Sequence, residues 1–382
     1  MRDTFHGMIR WPIVFLAAMC CLSCDRSPPP APSKPASQPV PQDQPLPEMQ
    51  CDVSMVTPLL PKRPTHIAVD PFSNIYYVQE SDDGNDGVFV IGGAGISNAT
   101  SLSTMSILQA MNSPGSGNIQ SIAAATDGNI YFFFNGGTSR QAIICLGRLE
   151  PRSGSIRILA RNDELASASG MGTSLTLARG TLVPAGASLW LWLQHSDASV
   201  MLNLRPGDFP SSGEIHLPAP TPIRSSDGTI QMIRADPKLS RGPGDSILLL
   251  DRWTAALWKI DLLGAADVMQ SLVNLPQAIG APAANSLGDI VMYIAPSDSI
   301  EPRVEQRVKP VQIDTHYPSL LVIRNHVIYP IPRDDIRAGP MFPVHTMELD
   351  QTIYEPGRDT WLGYDHASGG LVRLRISAKG TR

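Results

Sequence analysis

The chain has 382 residues, 42% hydrophobic and 17% charged, with 35 prolines and 31 glycines. That apolar content can build a sizeable core, which excludes a wholly disordered chain, a collagen and a polytopic membrane protein. Lys and Arg number 30 against 35 Asp and Glu, so the formal net charge is -5, without the electrostatic footprint of a nucleic-acid binder, and no nucleic-acid partner is expected.

The N-terminus reads as an address. Arg2 and Arg10 form a positive region ahead of an apolar run from Trp11 to Leu22 that is too short to span a bilayer comfortably. It ends at Leu22-Ser23-Cys24-Asp25. This pattern resembles a bacterial lipoprotein signal, although Cys21 stands where that family prefers Leu. The resemblance implies that residues 1–23 are a removed signal peptide and that Cys24 carries acyl chains such as palmitate. It also implies an extracytoplasmic protein held by lipid on the cell membrane or outer membrane, periplasmic if the cell is Gram-negative. In Gram-negative bacteria, Asp25 after the lipidated Cys implies the inner membrane; in other phyla the choice of membrane stays open. An ordinary cleaved signal peptide and an uncleaved anchor are the alternatives.

Residues 24–50 then form the lipidated end and a linker. The segment 27–47 holds nine prolines and almost nothing to bury, which predicts polyproline II character. At about 3.1 Å per residue it spans roughly 65 Å. A spacer is the simpler reading than a ligand for a Pro-binding domain, because a lipid anchor needs one.

From residue 51 to 382 the pattern is strand and turn, with no long 3.6-residue apolar period. One phrase recurs: a short apolar strand, a polar turn, then a stronger apolar strand. The first strands are Ile67-Ala68-Val69, Ile122-Ala123-Ala124-Ala125, Thr181-Leu182-Val183-Pro184, Met232-Ile233-Arg234-Ala235, Ile279-Gly280-Ala281 and Met347-Glu348-Leu349-Asp350. The second strands include Ile75-Tyr76-Tyr77-Val78, Ile130-Tyr131-Phe132-Phe133, Leu189-Trp190-Leu191-Trp192 and Trp361-Leu362. Each copy is followed by a third strand and usually a fourth. Such repetition predicts an all-β fold, a β-propeller of six blades with four antiparallel strands each. The sixth copy lacks a fourth strand, so Asp52 to Val56 is expected to supply it and close the ring. Seven blades is the runner-up, because copies five and six are far apart. Six requires Pro296 to Thr315 to be an insertion. The repeated phrase resembles the six-bladed propellers of the NHL and gluconolactonase-lyase type. That resemblance implies the architecture and does not fix the function, since such propellers serve as enzymes and as scaffolds.

No Gly-x-Ser-x-Gly elbow, phosphate-binding glycine loop or zinc-binding pattern occurs. Gly92-Gly93-Ala94-Gly95 reads as a hairpin turn. Asp82 and Asp86, in Asp82-Asp83-Gly84-Asn85-Asp86-Gly87, are weak candidates for a cation, but Gly84 and Gly93 stand where further ligands belong, so a solvated hairpin is favoured. The best constellation lies on the inner strands of the first and sixth copies. There His66, His345 and Glu348 converge if the ring closes, with Asp70 and Asp350 near them. Imidazole plus carboxylate can hold a divalent metal or exchange a proton. The plainer reading makes the aspartates turn caps and the histidines structural. The resemblance implies a channel metal held by Glu, Asn and Asp, but the Ala-rich inner strands supply no matching set, so no cofactor is assigned.

Cys51 and Cys145 remain after the signal, and one disulfide or two separate thiols are both open. Trp190, Trp192, Trp253, Trp258 and Trp361 serve inter-blade packing, or stack on a glycan. The expected function is a membrane-anchored binding or assembly scaffold of the bacterial cell envelope with a protein or glycan partner. Its candidate contact segments are 301–309 and 333–337. A metal-dependent hydrolase or lyase working in the channel, and a polysaccharide-binding propeller, are the alternatives.

Overall fold

A computed structural model describes residues 48–380 apart from 58, 81–85, 93–94, 98–101, 139–140, 173–177, 196–197, 210–215, 226–236, 252–255, 272–279, 294–317, 326, 340–346 and 348. The strand β1 (Met49–Thr57) comes first. Blade one is β2 (Pro64–Val69), β3 (Ile75–Gln79), β4 (Gly87–Gly92) and β5 (Gly95–Ser97). Blade two is β6 (Ser116–Ala124), β7 (Ile130–Thr138), β8 (Gln141–Glu150) and β9 (Ser155–Arg161). Blade three has β10 (Arg179–Ala185), β11 (Ser188–His195) and β12 (Ala198–Leu204). Next come β13 (Arg224–Ser225), β14 (Lys238–Arg241), β15 (Ile247–Asp251), β16 (Ala256–Ile260) and β17 (Ala265–Ser271) in blade four. Blade five is β18 (Ala283–Ala284), β19 (Ile290–Tyr293), β20 (Pro318–Arg324) and β21 (Val327–Pro332). Blade six combines β22 (Ile336–Ala338), β23 (Leu349–Glu355), β24 (Thr360–Asp365) and β25 (Gly370–Ala378) with β1. The protein is a six-bladed β-propeller, and the compact unit Leu46–Arg382 contains every one of these strands.

The ring closes as the sequence predicts. β1 pairs antiparallel with β25, from Met49 opposite Ala378 to Thr57 opposite Leu371. Ahead of it, β22 adds a parallel strand on the other edge of β1. A similar addition occurs in blade four, where β13 runs parallel to β17. These two extra strands, and a blade three with three strands in its sheet, depart from the uniform four-stranded expectation. In blade three, a single bridge from Thr221 to Met201 touches the outer edge.

Six hydrophobic clusters fill the six gaps between blades. The second strand of each blade explains why. On β7, Tyr131 and Phe133 face blade three, while Ile130, Phe132 and Phe134 face blade one. On β11, Leu189, Leu191 and Leu193 face blade two, while Trp190 and Trp192 face blade four. Side chains alternate along a strand, so a strand covered on both faces reads as an unbroken apolar run. Two large rings need room to lie flat. The Phe132 ring occupies the place a Cβ on its cross-strand partner Gly147 would take, and Phe133 does the same at Gly180 of the next blade.

The turns after the inner strands carry recurrent Asp and Asn caps. Asp70 is buried and accepts from the backbone N–H groups of Phe72 and Asn74, from Asn74 Nδ2 and from the Tyr76 hydroxyl. Asp127 repeats this with Asn129 and Tyr131. These are Asx turns, in which a carboxylate replaces backbone acceptors. Two short helices were not foreseen: α1 (Thr104–Met111) and α2 (Asn162–Ser169). Each has eight residues, two turns, too few for a long apolar period. α1 buries Ile107, Leu108 and Met111 between blades one and two.

One sequence expectation is corrected. The inner strand of blade four is Lys238–Arg241, paired with β15, whereas Met232 to Ala235 lies outside the described residues. Of the two readings open for Cys51 and Cys145, the structure has two separate thiols. Cys51 sits among the residues between blades five and six and Cys145 between blades one and two, so their strands never meet. Burial raises both thiols, Cys145 to about 12. The excess length assigned to an insertion falls between β19 and β20, within blade five, and its residues 294–317 lie outside the described set.

Ring closure through β1 has a direct test. Val53 is 6% exposed and packs between blades five and six, while Met55 on the same strand is 38% exposed. Val53→Asp is expected to cost about 3 kcal/mol or more, because it buries an unpaired carboxylate. Met55→Asp is expected to cost under about 1 kcal/mol, as a surface change. Equal melting temperatures for the two variants would refute closure by this strand.

Candidate functional site

The inner strands β2, β6, β10, β14, β18 and β23 stand around a central cavity of about 660 Å³, and all six contribute to its wall. Pro71, Thr126, Gly186 and Pro356, on turns that follow four of these strands, line the same cavity and mark one mouth. The space exists because the wall is built of small side chains: Ala68, Ala123, Ala124, Ala283 and Ala284 all line it.

Charge on this wall has one sign. Its ionisable groups among the described residues are His66 on β2, Lys238 and Arg241 on β14, and Tyr354 on β23. No Asp, Glu or Cys is among the described lining residues. His66 is half-buried, and burial together with the Lys238 ammonium lowers its imidazole to about 4, so it is neutral at pH 7. Among the described residues, Thr65 Oγ1, Ser240 Oγ and Thr352 Oγ1 on β2, β14 and β23 have no hydrogen-bond partner, and each is buried behind the wall surface.

Neighbouring blades are tied together beside the channel. The Gln351 side-chain amide of blade six donates to the Thr65 carbonyl of blade one. Arg63 pairs with Asp350 across the same gap. Between blades two and three, Ser121 Oγ accepts from the Leu182 backbone N–H at 3.0 Å.

The sequence candidates separate on this frame. Blades one and six are neighbours as expected, and His66 lines the channel. His345 and Glu348 lie outside the described residues. Asp70 caps its turn, and Asp350, near the start of β23 rather than at its end, is held by Arg63 with His366 3.7 Å away. Asp86 is buried and accepts from the Ile119 backbone N–H at 2.9 Å, joining blades one and two, while Asp82 lies outside the described residues. The weak cation reading of that hairpin thus loses Asp86 to a structural role. Gly92 pairs with Gly95 as a hairpin requires.

A channel metal does not fit the described wall. One imidazole beside an ammonium, with no carboxylate, is a poor donor set for a divalent cation. Among the described residues no group of three or more His, Cys, Asp and Glu converges anywhere. Trp190 and Trp192 are buried between blades three and four. Trp361 is buried between blades five and six and donates its indole N–H to the Ala283 carbonyl. Trp258 packs partly buried with the Trp190 cluster, and Trp253 lies outside the described residues. These four placed rings serve packing between blades. Of the charged segment 333–337, Asp335 pairs with Lys379 at 2.8 Å, and 301–309 lies outside the described residues.

The missed site residues are Lys238 and Arg241. Their strand of four residues has no apolar pattern, so only its pairing with β15 reveals it as a wall of the channel.

No family model matches this sequence, and no curated protein matches it. Among solved structures, a protein of unknown function from Bacteroides thetaiotaomicron is 9% identical, with 86% of this chain and 77% of that chain covered at a TM-score of 0.48. A glucose dehydrogenase-type oxidoreductase from Thermus thermophilus is 11% identical, covering 85% and 99%, with a TM-score of 0.46. Virginiamycin B lyase from Staphylococcus aureus is 11% identical, covering 86% and 99%, with a TM-score of 0.42. At this distance none of them carries an activity over to this chain.

The neutral state of His66 has a measurable consequence. Its folded value of about 4 lies below the ordinary 6.5, so as pH falls the unfolded chain takes up this proton first. The stability linked to His66 is intact above about pH 6.5 and is lost as pH falls from there to about 4. An imidazole NMR titration is expected to show a midpoint near 4, and His66→Gln to flatten that part of the stability curve. A midpoint near 6.5 would contradict the enclosure of this side chain.

Proposed function

We propose that this chain is a lipid-anchored, extracytoplasmic propeller that works as a binding scaffold of the bacterial cell envelope, with the central channel as its ligand site. The observation that carries the reading is the channel: about 660 Å³, walled by all six inner strands. Ligand sites in proteins commonly occupy about 300–1,000 Å³ and combine apolar walls with a few convergent polar groups. The described wall combines small apolar side chains with a neutral imidazole and two basic groups, a composition that suits binding. Cys24 and the Pro-rich segment 27–47 supply the anchor and spacer, which would present the propeller to a protein or glycan of the envelope.

A second reading, a channel hydrolase or lyase, is favoured by the place of His66 on the wall. It would recruit His345 and Glu348.

Labelled palmitate is expected to enter the wild-type protein in cells and to be absent from Cys24→Ala. Equal labelling of both would overturn the anchor. Metal analysis of the unit Leu46–Arg382 is expected to find far less than one tightly held divalent ion per chain. A stoichiometric ion that is lost in both His345→Ala and Glu348→Ala would replace the scaffold by the enzyme.

A further inference from the structure

The geometry points to an organic oxyanion with an apolar body as the ligand of the channel, an inference that rests on the channel being the binding site. Three independent features of the wall converge on that chemistry.

The first is charge. Lys238 and Arg241 are half-buried on the channel wall, and neither pairs with a described carboxylate. Two basic side chains with no described carboxylate among the lining residues, inside an enclosure of low-dielectric walls, bias the space beside them towards a positive potential. The protein as a whole is acidic, so this field is local and not a by-product of composition.

The second is the set of buried hydroxyls. Among the described residues Thr65, Ser240 and Thr352 each keep an unpartnered oxygen, buried behind the wall surface. A buried hydroxyl without a partner is costly, and rotation of such hydroxyls towards an oxyanion in the channel would give them an acceptor. Ser240 lies between the two cations on one strand, and Thr65 is adjacent to His66. Lys238 and Arg241 are three residues apart, roughly 10 Å along a strand, so they serve different depths of the channel.

The third is the apolar remainder. Ala123 and Ala124 on one side and Ala283 and Ala284 on another form a smooth wall with no polar side-chain atom. An inorganic ion alone would leave that surface uncovered, whereas a ligand with a hydrocarbon body would cover it.

His66 supplies a reporter. The charged and polar groups around it are Lys238 in the channel, Gln351 on the adjacent β23, and the Arg63–Asp350 pair near the same end of β2. An anion seated beside Lys238 would offset the ammonium and raise the imidazole from its depressed value.

Calorimetric titration of the unit Leu46–Arg382, which contains all six blades and the closing strand, tests this with octanoate, octyl phosphate, octylammonium and octanol. At least one anion is expected to bind ten-fold or more tighter than octylammonium and octanol. Lys238→Met or Arg241→Met is expected to weaken that anion at least ten-fold, Lys238→Arg to retain it, and the His66 NMR midpoint to rise in its presence. The tighter of the two anions identifies carboxylate or phosphate as the head group. Equal binding of octanol or octylammonium, abolished by Ser240→Trp, would overturn the anion while leaving the channel as the site. Binding of none of the four, or binding that survives both Ser240→Trp and the mouth variant Thr126→Trp, would overturn the anion and the channel together. Thr126 is exposed, so its variant keeps the test valid if Ser240→Trp fails to fold.

Discussion

The burial of both faces of every sheet is the constraint on which this structure depends. A blade whose second strand reads Ile-Tyr-Phe-Phe-Phe or Leu-Trp-Leu-Trp-Leu has no face it can give to water. Two stacked sheets would leave two apolar outer faces, and an open row of six would still leave two. A closed ring leaves none, and six blades then make six gaps, each filled by its own cluster of side chains. The flat rings of Phe132 and Phe133 lie on glycines because spacing between packed sheets is close to constant, so a larger partner would force the blades apart.

Closing such a ring requires that its first and last blades be held together. Here the chain uses backbone hydrogen bonds as well as packing. β1 leaves the N-terminal side of blade one and enters blade six as a full antiparallel partner of β25. The Arg63–Asp350 pair and the Gln351 contact to Thr65 cross the same seam near the channel. β22 then covers the outer edge of β1, as β13 covers β17 in blade four. Both additions use the connecting chain between blades to cap an edge that would otherwise present unpaired backbone groups.

The channel is what the ring leaves at its centre, and its chemistry follows from which residues the inner strands can spare. Inner strands meet at the axis where six of them crowd, so small residues suit them. At the same time the middle of each blade supplies the apolar area that stability needs, which frees the inner positions for Lys238, Arg241 and His66. The described wall thus carries basic groups and small apolar side chains and no carboxylate. Asp residues are abundant nearby, yet Asp70 and Asp127 are used as turn caps, pulled out of the channel by the backbone N–H groups they serve.

The sequence by itself determined the all-β class, the six-fold repeat and most second strands, because doubly buried strands read as short apolar runs bounded by turn residues, and it placed the closing strand because the sixth copy lacks a fourth. Asp70 was legible as a turn cap because the Asx turn is local and its partner Asn74 is near in the chain, whereas Asp350, read the same way, is held by Arg63 of the neighbouring blade. Only the tertiary structure decided the rest. Lys238-Leu239-Ser240-Arg241 has no alternation to betray a strand, since a strand at the channel has one side on a cavity. The separation of Cys51 from Cys145 depends on which gap each strand faces, and that is set by blade order. The union of His66 with Lys238 and Arg241 is the clearest case. They come from blades one and four, and nothing local relates them; they share one enclosed space only because the ring, closed to bury its sheets, turns every inner strand toward the same axis.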